Sequence, residues 1–228
     1  MPPQPAPAAD PDLAQLYGDT RRRLSELLVS LDADEVATPV PACPGWSVAD
    51  VSYHLLAVVE DVMAGRLTKP PSDAETAEQV RRHRGKTMTQ VVEEWDRLGP
   101  QFEPLISSAQ VWPAVLDVAS HEHDIRGALG RPGARDADVV RIGAEQLVTW
   151  MRPPVPMRIV SGDFERRVGP DDSSAPELVL RTSHYDTFRW RLGRRSRAQM
   201  QSADWSSDPG PVLDHLFVFG PSPHDITE

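Results

Sequence analysis

From Leu13 onward the chain places Leu13, Leu16, Leu24, Leu27, Leu28 and Leu31 at spacings that gather on one side of an α-helix. The stretch 33–46, ADEVATPVPACPGW, breaks this rhythm with three prolines and reads as a connector. A second helix is predicted over about 48–66. Ser47 caps it, Asp50 stands at its third position, and Trp46 and Val51 form a hydrophobic staple across the cap. Pro70 and Pro71 mark a break. One helical stretch then covers roughly 74–106, polar at first and amphipathic later through Val91, Val92, Trp95 and Leu98, with Pro100 and Pro104 interrupting its end. Trp112 and Pro113 open a further helix that Gly130 and Pro132 close, and 137–151 reads as one more.

Beyond Pro153 the texture changes. MRIVSGDFERRV and ELVLRTS alternate and are β-branched, as strands are, and 185–192 and 211–217 read as short helices. The expected organisation is therefore mainly α. A Pro/Ala tail over 1–11 has too little apolar content to pack and is expected to be disordered, a helical bundle fills 12–152, and a smaller α+β unit fills 156–228. The PPVP segment between the last two reads as a stiff linker.

Composition narrows the chemistry. Cys43 is the single cysteine, so a thiolate-rich zinc site and an intrachain disulfide are both excluded, and any metal site must be built from His, Asp and Glu. A net charge of -10 argues against a general nucleic-acid binder. No stretch approaches the roughly 20 apolar residues of a membrane span. The N-terminus has neither the basic start nor the apolar core of a signal peptide, so the expected location is the cytoplasm.

Within LDVASHEHDIRGALG, Asp117 and His121 are four residues apart and project from one helix face about 40° from each other. Such a pair can share a cation. Glu122 and His123 lie about 100–200° around the same helix, so the tempting His-Glu-His run is not a chelate. His54 sits beside Val51, Leu55 and Val58 on the apolar side of the earlier helix, where an imidazole must find a partner. The spacing fits a divalent metal held by His54, Asp117 and His121 inside a bundle. It equally fits a hydrogen-bonded core histidine and a surface acid–imidazole pair.

The segments PACPGWSVADVSYHL and Asp117–His121–Asp124 followed by Ala128-Leu129-Gly130 are similar to two signatures of the mycothiol-dependent maleylpyruvate isomerase family. The resemblance implies a DinB-like metal-binding four-helix bundle followed by a small unit related to sterol carrier folds. It also implies His54, Asp117 and His121 as ligands of one divalent ion, zinc first and nickel, iron or manganese next. Mycothiol or a similar thiol is the implied cofactor, with an electrophilic small molecule as substrate and an isomerisation or S-transfer as the reaction. Asp117 departs from the family's usual Glu by one methylene, which favours a rival reading: a non-catalytic small-molecule-binding protein with a weakened or structural metal site. Asp124 and Asp61 are candidates to orient the imidazoles. The arginines at 189, 191, 194, 195 and 197 read either as a carboxylate-recognition cluster or as a solvated face balancing nearby acids.

Overall fold

The computed structural model describes residues 10–171 and 176–228, so the tail expected over 1–11 lies almost wholly outside the described residues. Helix α1 (Leu13–Val29) starts where the Asp12 carboxylate accepts from the Ala14 and Gln15 amides at 3.0 and 3.2 Å. The connector is less irregular than its prolines suggest. Asp32 and Glu35 form a capping box that winds one turn, α2 (Ala33–Val36). Ser47 and Asp50 form the expected capping box at the start of α3 (Val48–Met63).

The stretch expected as one helix over 74–106 is two: α4 (Asp73–His83) and α5 (Met88–Ser108). Gly85 takes a left-handed φ of 94°, which ends the first, and Thr87 caps the second through a box with Gln90. Pro100 and Pro104 do not interrupt α5. Both stand on its exposed side, where the carbonyls they leave unpaired face water. The buried stripe of Val91, Val92, Trp95, Phe102 and Ile106 continues past them.

Helices α1, α3, α5 and α6 (Trp112–Ala128) form the four-helix bundle, α1 and α3 each packing against both α5 and α6. Tyr17 on α1 meets Phe102 edge-on at 5.0 Å and accepts a hydrogen bond from the Trp95 indole at 3.0 Å. A Cβ on Gly99 would lie 2.7 Å from Arg21 Nε. The missing side chain therefore lets Arg21 lie flat across α5 and reach Asp96 and Glu103. Helix α4 lies over α3, so α3 is buried nearly all round instead of along one face. Helix α6 is likewise enclosed, and its buried residues include Ser120, His121, Glu122, His123 and Asp124.

Helix α7 (Asp138–Thr149) leads into a four-stranded sheet, counted among the described residues, of order β2-β1-β3-β4. Strands β1 (Met157–Ser161) and β2 (Phe164–Val168) are a hairpin, and β3 (Leu178–Thr182) runs parallel to β1 in the register Met157↔Leu178. Helix α8 (His184–Arg191) follows β3. Then come α9 (Arg197–Gln201) and the short β4 (Asp204–Trp205), neither of them anticipated from the sequence, and a 3-10 turn at Leu213–His215. Met157, Ile159, Leu178 and Leu180 pack with Trp190, Met200, Val212 and Leu216 in a second core.

The two cores interlock through α7 and α8. Val148 and Met151 belong to the sheet's core, whereas Phe188 and Leu192 belong to the bundle's. Gly143 permits this: a Cβ there would stand 3.0 Å from the Phe188 ring and 3.1 Å from Leu116. Helix α8 is thereby pressed toward α6. No helix among the described residues is long and apolar enough to cross a membrane.

Candidate metal centre

Helix α3 brings His54, and α6 brings Asp117 and His121, to a common point inside the bundle. One ligand atom from each lies within 4.8 Å of the others. Asp117 Oδ2 is 3.6 Å from His54 Nε2, and Asp117 Oδ1 is 3.5 Å from His121 Nε2. The imidazoles meet edge to face, 5.5 Å between centroids, and the Trp46 ring lies 5.3 Å from that of His54. His54 is 4% exposed and His121 7%, while the Asp117 side chain keeps 33% of its surface and is the side open to solvent.

The ring nitrogens facing away from Asp117 define the tautomers. His54 Nδ1 is 2.9 Å from Gln79 Oε1, and the Gln79 amide donates to Asp61 Oδ2 at 2.9 Å. Asp61 can only accept, so Gln79 must turn its oxygen toward His54, and Nδ1 carries the proton. On the other side, Asp124 Oδ2 lies 2.9 Å from His121 Nδ1, which fixes that proton in the same way. Both Nε2 lone pairs are then directed at a carboxylate. Three acceptors facing one another repel unless a cation or a proton lies between them.

Spacing and donor chemistry both bear on which of the two it is. Distances of 3.5 and 3.6 Å are long for a hydrogen bond between imidazole and carboxylate. They leave room for three residues to close on one ion, one ligand atom of each lying within 4.8 Å of the others. Two imidazoles and one carboxylate are also a donor set that suits zinc and its neighbours. The residues fit a divalent ion.

The electrostatics favour a positive charge at this point, whether carried by a proton or by an ion. Burial opposes a charged His54, but the facing Asp117 outweighs it and raises the imidazole's pKa. Burial alone would raise the pKa of Asp117, yet His54 and His121 hold it below the ordinary value. Asp61 is lowered likewise: burial opposes the charge, and Gln79, Arg66 and Arg82 outweigh it.

Asp124, proposed as an orienting carboxylate, contacts His121 directly, whereas Asp61 reaches His54 only through Gln79. Gln79 carried no signal in the sequence, since nothing in a polar helix 25 residues from His54 marks it as a partner. Glu122 and His123 stand away from the centre, as their position around the helix requires. Glu122 binds Arg23 and Arg126, and His123 packs against Tyr185 and Phe188.

The arginine cluster is not a solvated face. Arg189 and Arg191 are buried, and only Arg197, paired with Asp214, is largely exposed. Arg191 donates to the carbonyls of Leu147 and Leu216, and burial lowers its pKa to about 10. Arg189 and Arg194 converge on Asp124. Cys43 lies 3.7 Å from His121 Nδ1 and 3.5 Å from Asp124; burial and that carboxylate push its pKa up, which disfavours a thiolate. A second acid–imidazole group, Glu60, His83 and Glu94, lies on the far side of α3, where Lys86 pairs with Glu94.

A DinB-like bundle carrying this His/Asp/His group defines the class. Residues 17–144 match the profile of the mycothiol maleylpyruvate isomerase N-terminal domain, more than half of the chain, and the protein belongs to that family. Among solved structures it is similar to a mycothiol-dependent maleylpyruvate isomerase and to a histidine-to-alanine mutant of that enzyme. Each is 15% identical with a TM-score of 0.56, over 87% of this chain and 94% of that one. At that identity the likeness speaks for the fold. No curated protein matches the chain.

Proposed function

We propose that this protein is a cytoplasmic, divalent-metal-dependent enzyme that uses a low-molecular-weight thiol of the mycothiol type on an electrophilic small molecule, in an isomerisation or S-transfer. One observation carries the reading: two imidazole lone pairs, fixed by their partners, converge on one carboxylate, with a ligand atom of each residue within 4.8 Å of the others. Family membership supports the choice of thiol, since the solved relatives are named as mycothiol-dependent.

In this reading residues 12–152 are the metal-holding unit and 156–228 a smaller, sterol-carrier-like unit docked on it. His54 Nε2, His121 Nε2 and an Asp117 oxygen hold the ion, zinc being the best match to the donor set. The chemistry such an ion supplies is Lewis acidity, favouring the deprotonated form of a thiol that reaches it. Gln79 and Asp124 keep the two rings from turning. Three protein donors leave room for an outside ligand, which separates a catalytic set from a closed structural one. The partly exposed side of Asp117 is where the thiol enters, and Trp46 screens the His54 ring from water.

Protein purified without chelator should carry close to one zinc or similar ion per chain by elemental analysis. Adding mycothiol to the cobalt-substituted form should change its visible spectrum. Absence of metal together with unchanged stability in EDTA refutes the reading. A cobalt spectrum indifferent to thiol shifts the assignment to a structural ion.

A further inference from the structure

Asp124 has no exposed side-chain surface and is held from outside its own helix. Arg189 Nη2 donates to Oδ1 at 2.6 Å. Arg194 donates to Oδ2 through Nη2 at 2.9 Å and to Oδ1 through Nε at 3.3 Å. Both arginines come from α8 and the turn after it. Arg189 is itself anchored, donating to the Ser120 carbonyl at 3.0 Å and to Glu228 Oε2 at 3.0 Å. An acid three residues beyond a histidine interacts with it only weakly on a helix surface, too weakly to choose one rotamer for both. Here the choice is made chiefly by two guanidiniums, with the Cys43 thiol a weaker donor to Oδ2 at 3.5 Å, and they leave Oδ2 aimed at His121 Nδ1 and so turn Nε2 toward Asp117.

The other imidazole is supported differently. His54 is held by Gln79 and Asp61, with Arg66 and Arg82 on Asp61, and all of these precede the C-terminal segment. The support of the centre is thus asymmetric. One histidine depends on the bundle alone, and the other on a segment more than sixty residues downstream.

Resting on the metal-centre reading, we infer that Arg189 and Arg194 are positioning residues for the centre, holding Asp124 so that His121 presents Nε2 to the ion. The C-terminal segment therefore completes a site whose three ligands all lie in the bundle. An ion gains its second imidazole in full only when α8 is docked.

Arg194 is the residue to change, since its side chain keeps some exposure whereas Arg189 has none. Zinc affinity measured by chelator competition should fall about 10–100-fold in Arg194→Met, the range typical of a lost outer partner. Arg194→Lys should recover part of that, and Arg197→Ala should leave affinity unchanged. In the Asp124→Asn background Arg194→Met should cost nothing further, because the two changes break one chain of contacts. Nitrogen-15 spectra of the metal-free protein give a readout that stability alone does not move. His121 should appear as the Nδ1–H tautomer in the wild type and as a mixture in Arg194→Met. Unchanged affinity and tautomer in Arg194→Met, or full additivity with Asp124→Asn, overturns the inference. If Arg194→Met does not fold, Arg194→Lys carries the same test at smaller amplitude. Wild-type protein that binds no zinc refutes the metal centre, while the tautomer comparison still decides what the arginines do.

Discussion

Asp117→Asn keeps the shape of the side chain between the two imidazoles and replaces one carboxylate oxygen with an amide donor. At high pH its effects on the loaded and the metal-free protein should have opposite signs. A site filled at 100 times its Kd stabilises the fold by about 2.7 kcal/mol, which at 2–4 °C per kcal/mol raises Tm by roughly 5–10 °C for a chain of this size. Loss of the charged ligand should weaken binding by about 100-fold or more, exceeding what outer partners contribute. The same metal concentration then adds only about 0.4 kcal/mol, or roughly 1 °C. Without metal, and at a pH high enough for His54 to be neutral, the new amide can donate to an Nε2 lone pair that otherwise faces only Asp117, a gain of about 0.5–1.5 kcal/mol.

The pH dependence adds a signature. Because Asp117 raises the pKa of His54, the metal-free wild type holds that stabilisation fully below about 6.5, the unfolded value, and loses it as pH rises through the folded value. The Asp117→Asn variant should lack that decline. Differential scanning fluorimetry with EDTA-treated protein, at pH 6 and pH 8.5, with and without zinc, cobalt or nickel, reads all of these quantities. A wild type unmoved by each metal, or a variant that gains as much as the wild type, refutes the reasoning.

Gln79→Leu should weaken zinc binding about 10–100-fold by freeing the His54 ring, measured by chelator competition; unchanged affinity would mean that packing alone holds the ring. Glu122→Ala should destabilise the protein by about 1–3 kcal/mol, because it takes the shared carboxylate from Arg23 and Arg126, both partly exposed, while metal stoichiometry stays the same. Urea titration with elemental analysis checks both halves. Burial, reinforced by Arg189, lowers the pKa of His123 to about 3, so the folded state resists its protonation. The unfolded chain takes up that proton first, and stability should fall as pH drops from about 6.5 toward 3, by at most about 1.4 kcal/mol per unit. His123→Phe should flatten this slope in urea denaturation followed across pH 6.5 to 4.5.

Asp117, His121 and His54 were legible in the sequence because helical spacing fixes what shares a face, and because the Pro44-Gly45-Trp46 turn and the Ala128-Leu129-Gly130 ending belong to a known family's signatures. The start of α3 was legible for the same local reason, since its cap and capping box lie within four residues. The break between α4 and α5 was harder to see. Its signal is a single left-handed glycine and a threonine cap inside a polar stretch whose helical rhythm hardly falters. Strand β4 and α9 are too short to leave any pattern.

The three residues of the candidate centre illustrate where local information ends. Sequence fixed the angle between Asp117 and His121, a property of one helix. It could not fix the tautomers, which depend on Gln79 from α4 and on Asp124 held by arginines of α8. Nor could it tell that the arginine cluster is buried, because the FRWRLGRR string alternates apolar residues with arginines and marks no single face for the core. Gly143 and the enclosed faces of α6 decide where it goes. Spacing along a helix is set by backbone geometry and is written in the chain. The partner across an interface is set by how helices pack, and only the folded molecule decides it.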